Sequence, residues 1–467
     1  MGSPSSPEAC RELREGPCNS LCARLVEDPD ADPRGAPGPD RGPIVTRTAS
    51  GPTLEFWQAV LVGDVASVSH LLASPGSGLG PDVVFDTSDP ERWREFRFNI
   101  RALRLWSLTY VEELTTPIHV AAGRGHEQVL QLLLNRGAQP DAAPGGRTAL
   151  HEACLSGHPA CARLLLVAGA DPDIPDQEGR RPLHLCQGPD ALHCAELLLR
   201  FGASVDGRSE EGEETPLHVA ARGGLVELAA LLLRKGACPD ARDAEGRTPL
   251  LAACSVSFLP PAEAEAEAAT SRCLHLCHLL LSVGADADAA DHDRQRPLHL
   301  ACRRGNVAVA ELLLSRGVSV NAMDYGGHTA LHWALQGPPA ALPCSPEQVV
   351  RALLNHGAVR IWPGALPKVL ERWCEFPRII EVLMNTYSFV KLPGEAEDLI
   401  PPEVLKKHQD FYSSLFALVG RPRCLKHLSR HALRSHLADC LAQALPQLPL
   451  PPSLLGYLQL DFEDILY

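Results

Sequence analysis

The sequence predicts an all-α chain, a solenoid of stacked helix pairs joined by short hairpin turns and followed by a small C-terminal helical unit. Variants of Thr-Pro-Leu-His-x-Ala recur with their Thr, or its equivalent, at residues 116, 148, 181, 215, 248, 296 and 329. The steps are 32, 33, 34, 33, 48 and 33 residues. A fixed period of this length marks a repeat array, and the long step carries about 15 inserted residues near 257–271. After the last copy, a basic segment with regularly spaced apolar residues predicts the separate terminal unit.

The copy beginning at Thr215 spells the unit best. Thr215 is an N-cap whose hydroxyl is suited to accept an orphan amide hydrogen, and Pro216 occupies the first helical position, where its missing N–H costs nothing. Gly223-Gly224 ends the first helix. Leu228, Leu231 and Leu232 then form an apolar stripe at helical spacing, and Gly236 ends the second helix where a positive φ is needed. Asp243-Ala244-Glu245-Gly246 supplies the turn to the next copy. Helices this short cannot bury an apolar face alone, so each pair must stack on its neighbours.

The recurrence of several fixed positions together, as in Thr116-Pro117-Ile118-His119, Thr148-Ala149-Leu150-His151 and Thr329-Ala330-Leu331-His332, closely resembles the ankyrin repeat. Arg181 and Arg296 replace Thr, and Leu251 replaces His, so weaker capping is expected in those copies. The expected organisation is a disordered segment over 1–52, a degenerate repeat with a packed insert over 53–115, and repeats over 116–388. Seven of these are clear, and an eighth, degenerate one begins at Trp362-Pro363. A connecting segment over 389–411 and a terminal box over 412–467 complete the chain. In the insert, Trp93, Phe96, Phe98, Leu103, Leu105 and Trp106 are too apolar for a free loop.

Composition narrows the function. The net charge is −14, from 43 Lys plus Arg against 57 Asp plus Glu, which is no general nucleic-acid footprint. No apolar run reaches the roughly 18–20 residues that span a bilayer, and residues 1–22 lack the apolar centre of a secretory signal. A cytoplasmic and also nuclear protein without membrane insertion is therefore expected. Met1-Gly2-Ser3-Pro4-Ser5-Ser6 fits a myristoylation pattern formally, but Pro4 and the nearby Glu8, Glu12 and Glu15 argue against it. There is no Gly-Lys dipeptide for a phosphate loop and no His-Glu-x-x-His, so neither an enzyme nor a cofactor is expected.

Sixteen cysteines raise the metal question. Cys154, Cys254 and Cys302 fall at the small-residue site that holds Ala122 and Ala221 elsewhere, which predicts buried helix positions. Cys273, His275, Cys277 and His278 have a superficially zinc-like spacing but lie in a Leu-rich second helix. The run Glu263-Ala264-Glu265-Ala266-Glu267 reads as a solvated loop or short helix. Acidic turns such as Asp176-Gln177-Glu178-Gly179 and Asp243-Ala244-Glu245-Gly246 suggest a surface for a basic partner, weighed against simple solvation of loop tips.

The terminal segment Arg423-Cys424-Leu425-Lys426-His427-Leu428-Ser429-Arg430-His431-Ala432-Leu433-Arg434 reads as a basic helix with a narrow apolar stripe. Alone, it predicts a capping helix packed on the last repeat. Followed by Leu448-Pro449-Leu450-Pro451, it resembles a SOCS box, and the layout resembles the ankyrin repeat and SOCS box family. Residues 86–93 and 458–462 look most like one particular member.

The resemblance implies a non-catalytic, substrate-recognition subunit of a RING-type ubiquitin ligase. The repeats would hold a protein target for ubiquitination and proteasomal degradation. The box would bind Elongin-C, with Elongin-B, through Leu425, Leu428, Ser429 and Leu433. Leu448, Pro449, Leu450 and Pro451 would select cullin-5 with RING-box protein 2. Cys424 stands where the family has Ser or Thr, and Ser429 where it buries a Cys. A buried Ser hydroxyl needs a partner, such as the Leu425 carbonyl, or costs roughly 1–3 kcal/mol, which lowers Elongin-C affinity on the order of tenfold. An ankyrin scaffold without ligase recruitment is the alternative. Ankyrin repeats are also hydroxylated at a turn Asn, and Asn321 is the candidate because Asp141, Asp173, Asp206, Asp240 and Asp288 hold the corresponding positions.

Overall fold

A computed structural model describes residues 45–46, 51–74, 79–86, 114–188, 190–255, 263–336, 346–393, 396–437, 440–463 and 466. The segment expected to be disordered up to residue 44 and the aromatic residues 93–106 lie outside the described residues. The chain divides into two compact units, Met1–Glu211 and Gly212–Tyr467.

In the first unit, helices Pro52–Val62 and Val65–Ala73 form the opening pair. Gly63 turns between them at φ 82°, and the Asp64 carboxylate caps the second helix by accepting from the Ala66 and Ser67 amides at 3.0 and 3.3 Å. A three-stranded sheet, absent from the sequence reading, joins Val45–Thr46 in parallel and Leu114–Thr115 antiparallel to Val84–Asp86. Phe85 anchors it against Trp57, with ring centroids 4.4 Å apart. Pairs Pro117–Arg124 with Glu127–Asn135 and Ala149–Ser156 with Pro159–Val167 follow.

The Arg181 copy departs from the rest. Its first helix contracts to a single 3-10 turn, Pro182–Leu185, before helix Ala191–Arg200. Arg181 is not the cause, because the Arg296 copy keeps an α-helix over Pro297–Arg303. The sequence difference of this copy is Gly188-Pro189, a pair that disfavours continuing the helix.

The second unit continues the pattern with Pro216–Gly223 and Val226–Arg234, then Pro249–Ser255 and Glu263–Val283. The last of these is 21 residues long against 9 for Val226–Arg234, so most of the insertion, from residue 263 on, extends one helix. The acidic run at 263–267 is the start of that long helix and not a loop or a short helix. Pairs Pro297–Arg303 with Val307–Ser315, Ala330–Gln336 with Pro346–Asn355 and Leu366–Trp373 with Pro377–Met384 complete the helix pairs. No helix among the described residues is long and apolar enough to cross a membrane.

The motif histidines tie neighbouring repeats together. The Thr215 amide donates to His218 Nδ1 at 3.2 Å, so that nitrogen is unprotonated and the Thr215 hydroxyl, at 2.9 Å, donates to it as well. The hydroxyl also accepts the His218 amide hydrogen, as the sequence suggested, and the two contacts together close a capping box. His218 Nε2–H then donates to the Arg247 carbonyl at 2.9 Å, one repeat further on. His119 and His151 reach Arg147 and Arg180 carbonyls in the same way, at 2.8 and 3.1 Å. Arg181 and Arg296 keep the backbone half of this arrangement, donating to His184 and His299 Nδ1 at 3.1 and 3.0 Å. Their side chains pair instead with Asp173 and Asp288, eight residues upstream, which offsets the lost hydroxyl. Where Leu251 replaces His, the Thr248 hydroxyl accepts the Leu251 amide at 3.4 Å.

Cys154, Cys254 and Cys302 are buried in first helices, as the small-residue register requires. Cys273 and Cys277 face inward, Cys273 Sγ lying 3.5 Å from the Ala253 carbonyl and Cys277 Sγ 3.9 Å from Cys254 Sγ, while His275 and His278 are exposed. The helix therefore separates the residues whose spacing resembled a zinc motif.

Candidate functional site

The terminal box is seated on the last helix pair of the second unit. Leu370, Ile380 and Met384 of that pair share a core cluster with Tyr387, Val390, Ile400, Phe411, Tyr412 and Leu415, contributed by the following segment and its helices Pro402–Lys407 and Gln409–Leu418. The Tyr412 hydroxyl donates to the Cys374 carbonyl and the Tyr387 hydroxyl to the Ile361 carbonyl, the latter at 2.6 Å. This support fixes where the next helix begins.

That helix, Leu425–His436, is turned inside out relative to the usual rule. Arg423, His427 and Arg430 are buried, whereas Leu425 is 80% exposed and Leu428 38% exposed. The inward residues continue with half-buried Arg434, so they follow helical spacing as well as the apolar ones do. Buried cations are costly unless hydrogen-bonded, and three helix ends meet that need. Arg423 Nη2 donates to the Met384 carbonyl at 2.8 Å. Arg434 donates to the Leu354 and Leu458 carbonyls at 2.9 and 2.5 Å and to Asn355 Oδ1 at 2.8 Å. Helix C-termini carry unpaired carbonyls and partial negative charge, so they suit guanidinium groups.

His427 and Arg430 complete this layer. Arg430 Nη2 donates to His427 Nδ1 at 2.9 Å, and His427 Nε2 donates to the Tyr387 carbonyl at 2.9 Å. The Arg430 guanidinium also lies 4.1 Å from the centroid of the Tyr457 ring. Burial and then the neighbouring positive charge of Arg423 push the His427 imidazole down to about 4, which favours the neutral acceptor this geometry uses. Burial and like-charge repulsion from Arg430 likewise hold Arg423 at about 10.

The predicted contact residues are thereby divided. Leu425, Leu428 and Ser429 are exposed together, with Cys424 at the N-cap making no side-chain capping bond. Ser429 makes no hydrogen bond to the Leu425 carbonyl; exposed to water, its hydroxyl does not need one. Leu433 is not on that open face but packs, half-buried, against the small core of Leu441, Leu445 and Leu458. Leu448 and Leu450 lean on the same core, while Pro449 and Pro451 are exposed ahead of helix Pro452–Leu458. The sequence offered the inward pattern too, since Arg423, His427, Arg430 and Arg434 are spaced 4, 3 and 4 apart. A search for apolar stripes alone overlooks it.

The acidic turns are largely self-neutralised. Asp176 and Asp243 are buried, accept amide hydrogens from their own loops, and pair with Arg180 and Arg247 four residues on at 3.0 and 2.8 Å. Glu178 and Glu245 pair with the same two arginines, each at 2.6 Å. These aspartates close the hairpins and position the carbonyls that His151 and His218 contact, so they present little charge to a basic partner. Asn321 is exposed at a different kind of tie. Its Oδ1 accepts from the Val359 amide at 2.8 Å and its Nδ2 donates to the Gly357 carbonyl at 3.0 Å. Asp141 and Asp173 make the accepting half of the same inter-repeat link, to the Asp171 and Ser204 amides.

Comparison with known proteins matches both halves of this architecture. A family profile described as Ankyrin repeats (3 copies) matches residues 108–176, 164–243, 183–259 and 266–361, and one described as SOCS box matches 421–459. The chain is 72% identical to human Ankyrin repeat and SOCS box protein 10 over 464 residues, covering 99% of each. It is 68% identical to the mouse protein of that name, again with 99% of each covered. Human Ankyrin repeat and SOCS box protein 18 is 49% identical over 363 residues, which is 78% of this chain and 76% of that protein.

Proposed function

Because the chain belongs to the ankyrin repeat and SOCS box family, we propose that it is a substrate-recognition subunit of an Elongin-B/C, cullin-5, RING-box protein 2 ubiquitin ligase. The observation that carries this reading is the outward face of helix Leu425–His436. This segment leaves Leu425 80% exposed while burying Arg423, a neutral His427 and Arg430, an arrangement that gains from a partner covering the apolar side. Leu425 and Leu428 are the anchors for Elongin-C, with Ser429 beside them. Leu433 acts from behind, holding the helix on the Leu441–Leu458 core. Exposed Pro449 and Pro451, with Leu448 and Leu450 fixing their backbone, form the cullin-5 element.

In this reading the chain does no chemistry. It raises the local concentration of target lysines near a ubiquitin thioester carried by its partners. The target surface is on the repeats, where Met323 and Tyr325 of one hairpin tip are 61% and 69% exposed and Arg294 lies over the Tyr325 ring at 5.0 Å. Proximity labelling with the full chain and with a chain ending before Arg421 tests the assignment. Targets that accumulate only around the truncated chain are expected, and identical target levels around both contradict ligase recruitment.

Asn321 is a second modification target in the same proposal, as a hydroxylation acceptor. Both of its inter-repeat hydrogen bonds must open before the side chain can enter an active site. Intact-mass measurement on chain purified from cells is expected to show a single oxygen added at Asn321, and an unmodified mass dismisses it.

A further inference from the structure

A cavity of about 250 Å³ lies where the terminal box meets the last two helix pairs, within the second unit. Its walls are Gly357–Arg360 and Asn385-Thr386 on the repeat side, and His431, Arg434, Ser435 and Leu441 on the box side. No Asp or Glu lines it among the described residues. Arg360 Nη1 donates to the Thr386 carbonyl and to His431 Nε2, each at 2.7 Å, which leaves Arg360 Nε and Nη2 without an acceptor among the described residues. Asn385, 7% exposed, also lines the cavity.

The site therefore gathers two guanidinium groups, an imidazole, an amide and a hydroxyl with no carboxylate to balance them. Arg434 is committed to three acceptors and contributes charge, while Arg360, Asn385 and Ser435 supply donors. Burial and the proximity of Arg360 and Arg434 lower the His431 pKa, and burial with repulsion from Arg430 and Arg360 lowers that of Arg434 to about 10. Bound anionic charge relieves that repulsion, and a tetrahedral oxyanion offers acceptors in several directions at once. Planar carboxylates carry one charge and two oxygens, which fit this donor set less completely.

We propose that this cavity binds a phosphate-type dianion, either inorganic phosphate or the phosphate group of a small monoester, held by Arg360, Asn385 and Ser435 in the field of Arg434. Since its walls come from both repeats and box, the anion fastens the box onto the array. Calorimetric titration of the full chain with inorganic phosphate, glycerol 3-phosphate and acetate tests this. Saturable binding of one phosphate with Kd below roughly 1 mM, at least about tenfold tighter than acetate, is expected. Tighter binding of glycerol 3-phosphate than of phosphate identifies a monoester as the occupant, and the reverse order identifies free phosphate.

Ser435→Glu places a carboxylate at the cavity and is expected to weaken phosphate at least about tenfold, whereas Ser435→Ala weakens it no more than about threefold. Thermal unfolding without phosphate verifies that the Glu variant is folded, and exposed Arg360→Gln gives the same reading if it is not. Phosphate binding no tighter than acetate, or unchanged in folded Ser435→Glu and Arg360→Gln, overturns the proposal.

Discussion

A Leu425→Asp chain is expected to lose Elongin-B and Elongin-C on co-purification while unfolding at the wild-type midpoint. The two halves of this result have separate causes. Leu425 is 80% exposed and contributes almost nothing to the chain's own core, so its replacement should alter stability by no more than about 0.5 kcal/mol. In the proposed Elongin-C complex the same side chain is a central apolar anchor, and truncating such anchors costs about 2 kcal/mol or more. That is a loss of roughly thirtyfold in affinity, and a buried, unpaired carboxylate adds to it. Retention of Elongin-C by folded Leu425→Asp removes the helix face from the account.

The second large effect is a loss of stability on mild acidification, before most carboxylates titrate. Burial pushes the His119 imidazole down to about 4 and lowers His151, His218, His299 and His332 in the same direction. Each ring is held neutral; Nδ1 of His151 and of His218 accepts the Thr148 and Thr215 amides. In the unfolded chain a histidine binds its proton near 6.5. Between pH 6.5 and about 4 the unfolded state therefore carries more protons, and stability falls as pH falls. The contribution is full above pH 6.5 and is lost on approach to about 4, on the order of 3 kcal/mol for His119. Urea unfolding from pH 7.5 to 4.5 is expected to show a midpoint that declines steadily below pH 6.5. A midpoint that stays level down to pH 5 contradicts neutral, buried histidines as ties of the array.

Much of this architecture is legible because the repeat imposes the same local demands many times. Pro at the first helical position, His at the third and Gly at the helix ends can be counted by eye, and the buried Cys154, Cys254 and Cys302 follow from that register. What escaped reading has identifiable causes. The first helix of the Arg181 copy shortens to a 3-10 turn, and the copy's Gly188-Pro189 lies after the motif, where attention to Thr and His does not reach. The inserted residues could read as loop or helix by composition, and the decision for a 21-residue helix comes from continuity with the Leu-rich stripe of Leu276 and Leu280.

The largest gap concerned the site itself. An amphipathic helix is normally read apolar side inward, but carbonyls at three helix ends make the basic side the inward one here. Those carbonyls belong to residues 354, 384 and 458, each separated from the helix by tens of residues. No local pattern announces them. The acidic hairpins illustrate the reverse case, in which exposed charge expected from composition is neutralised by an arginine four residues along the same loop.

Ligase recruitment depends on the outward face of Leu425–His436 binding Elongin-C. Its most direct test is calorimetric titration of the purified full chain with purified Elongin-B/C heterodimer. A saturable one-to-one complex with Kd of roughly 1 μM or tighter is predicted, with Leu425 and Leu428 gaining protection in the complex. A heterodimer that gives no saturable heat, with the chain folded and Leu425 still open to solvent, contradicts it.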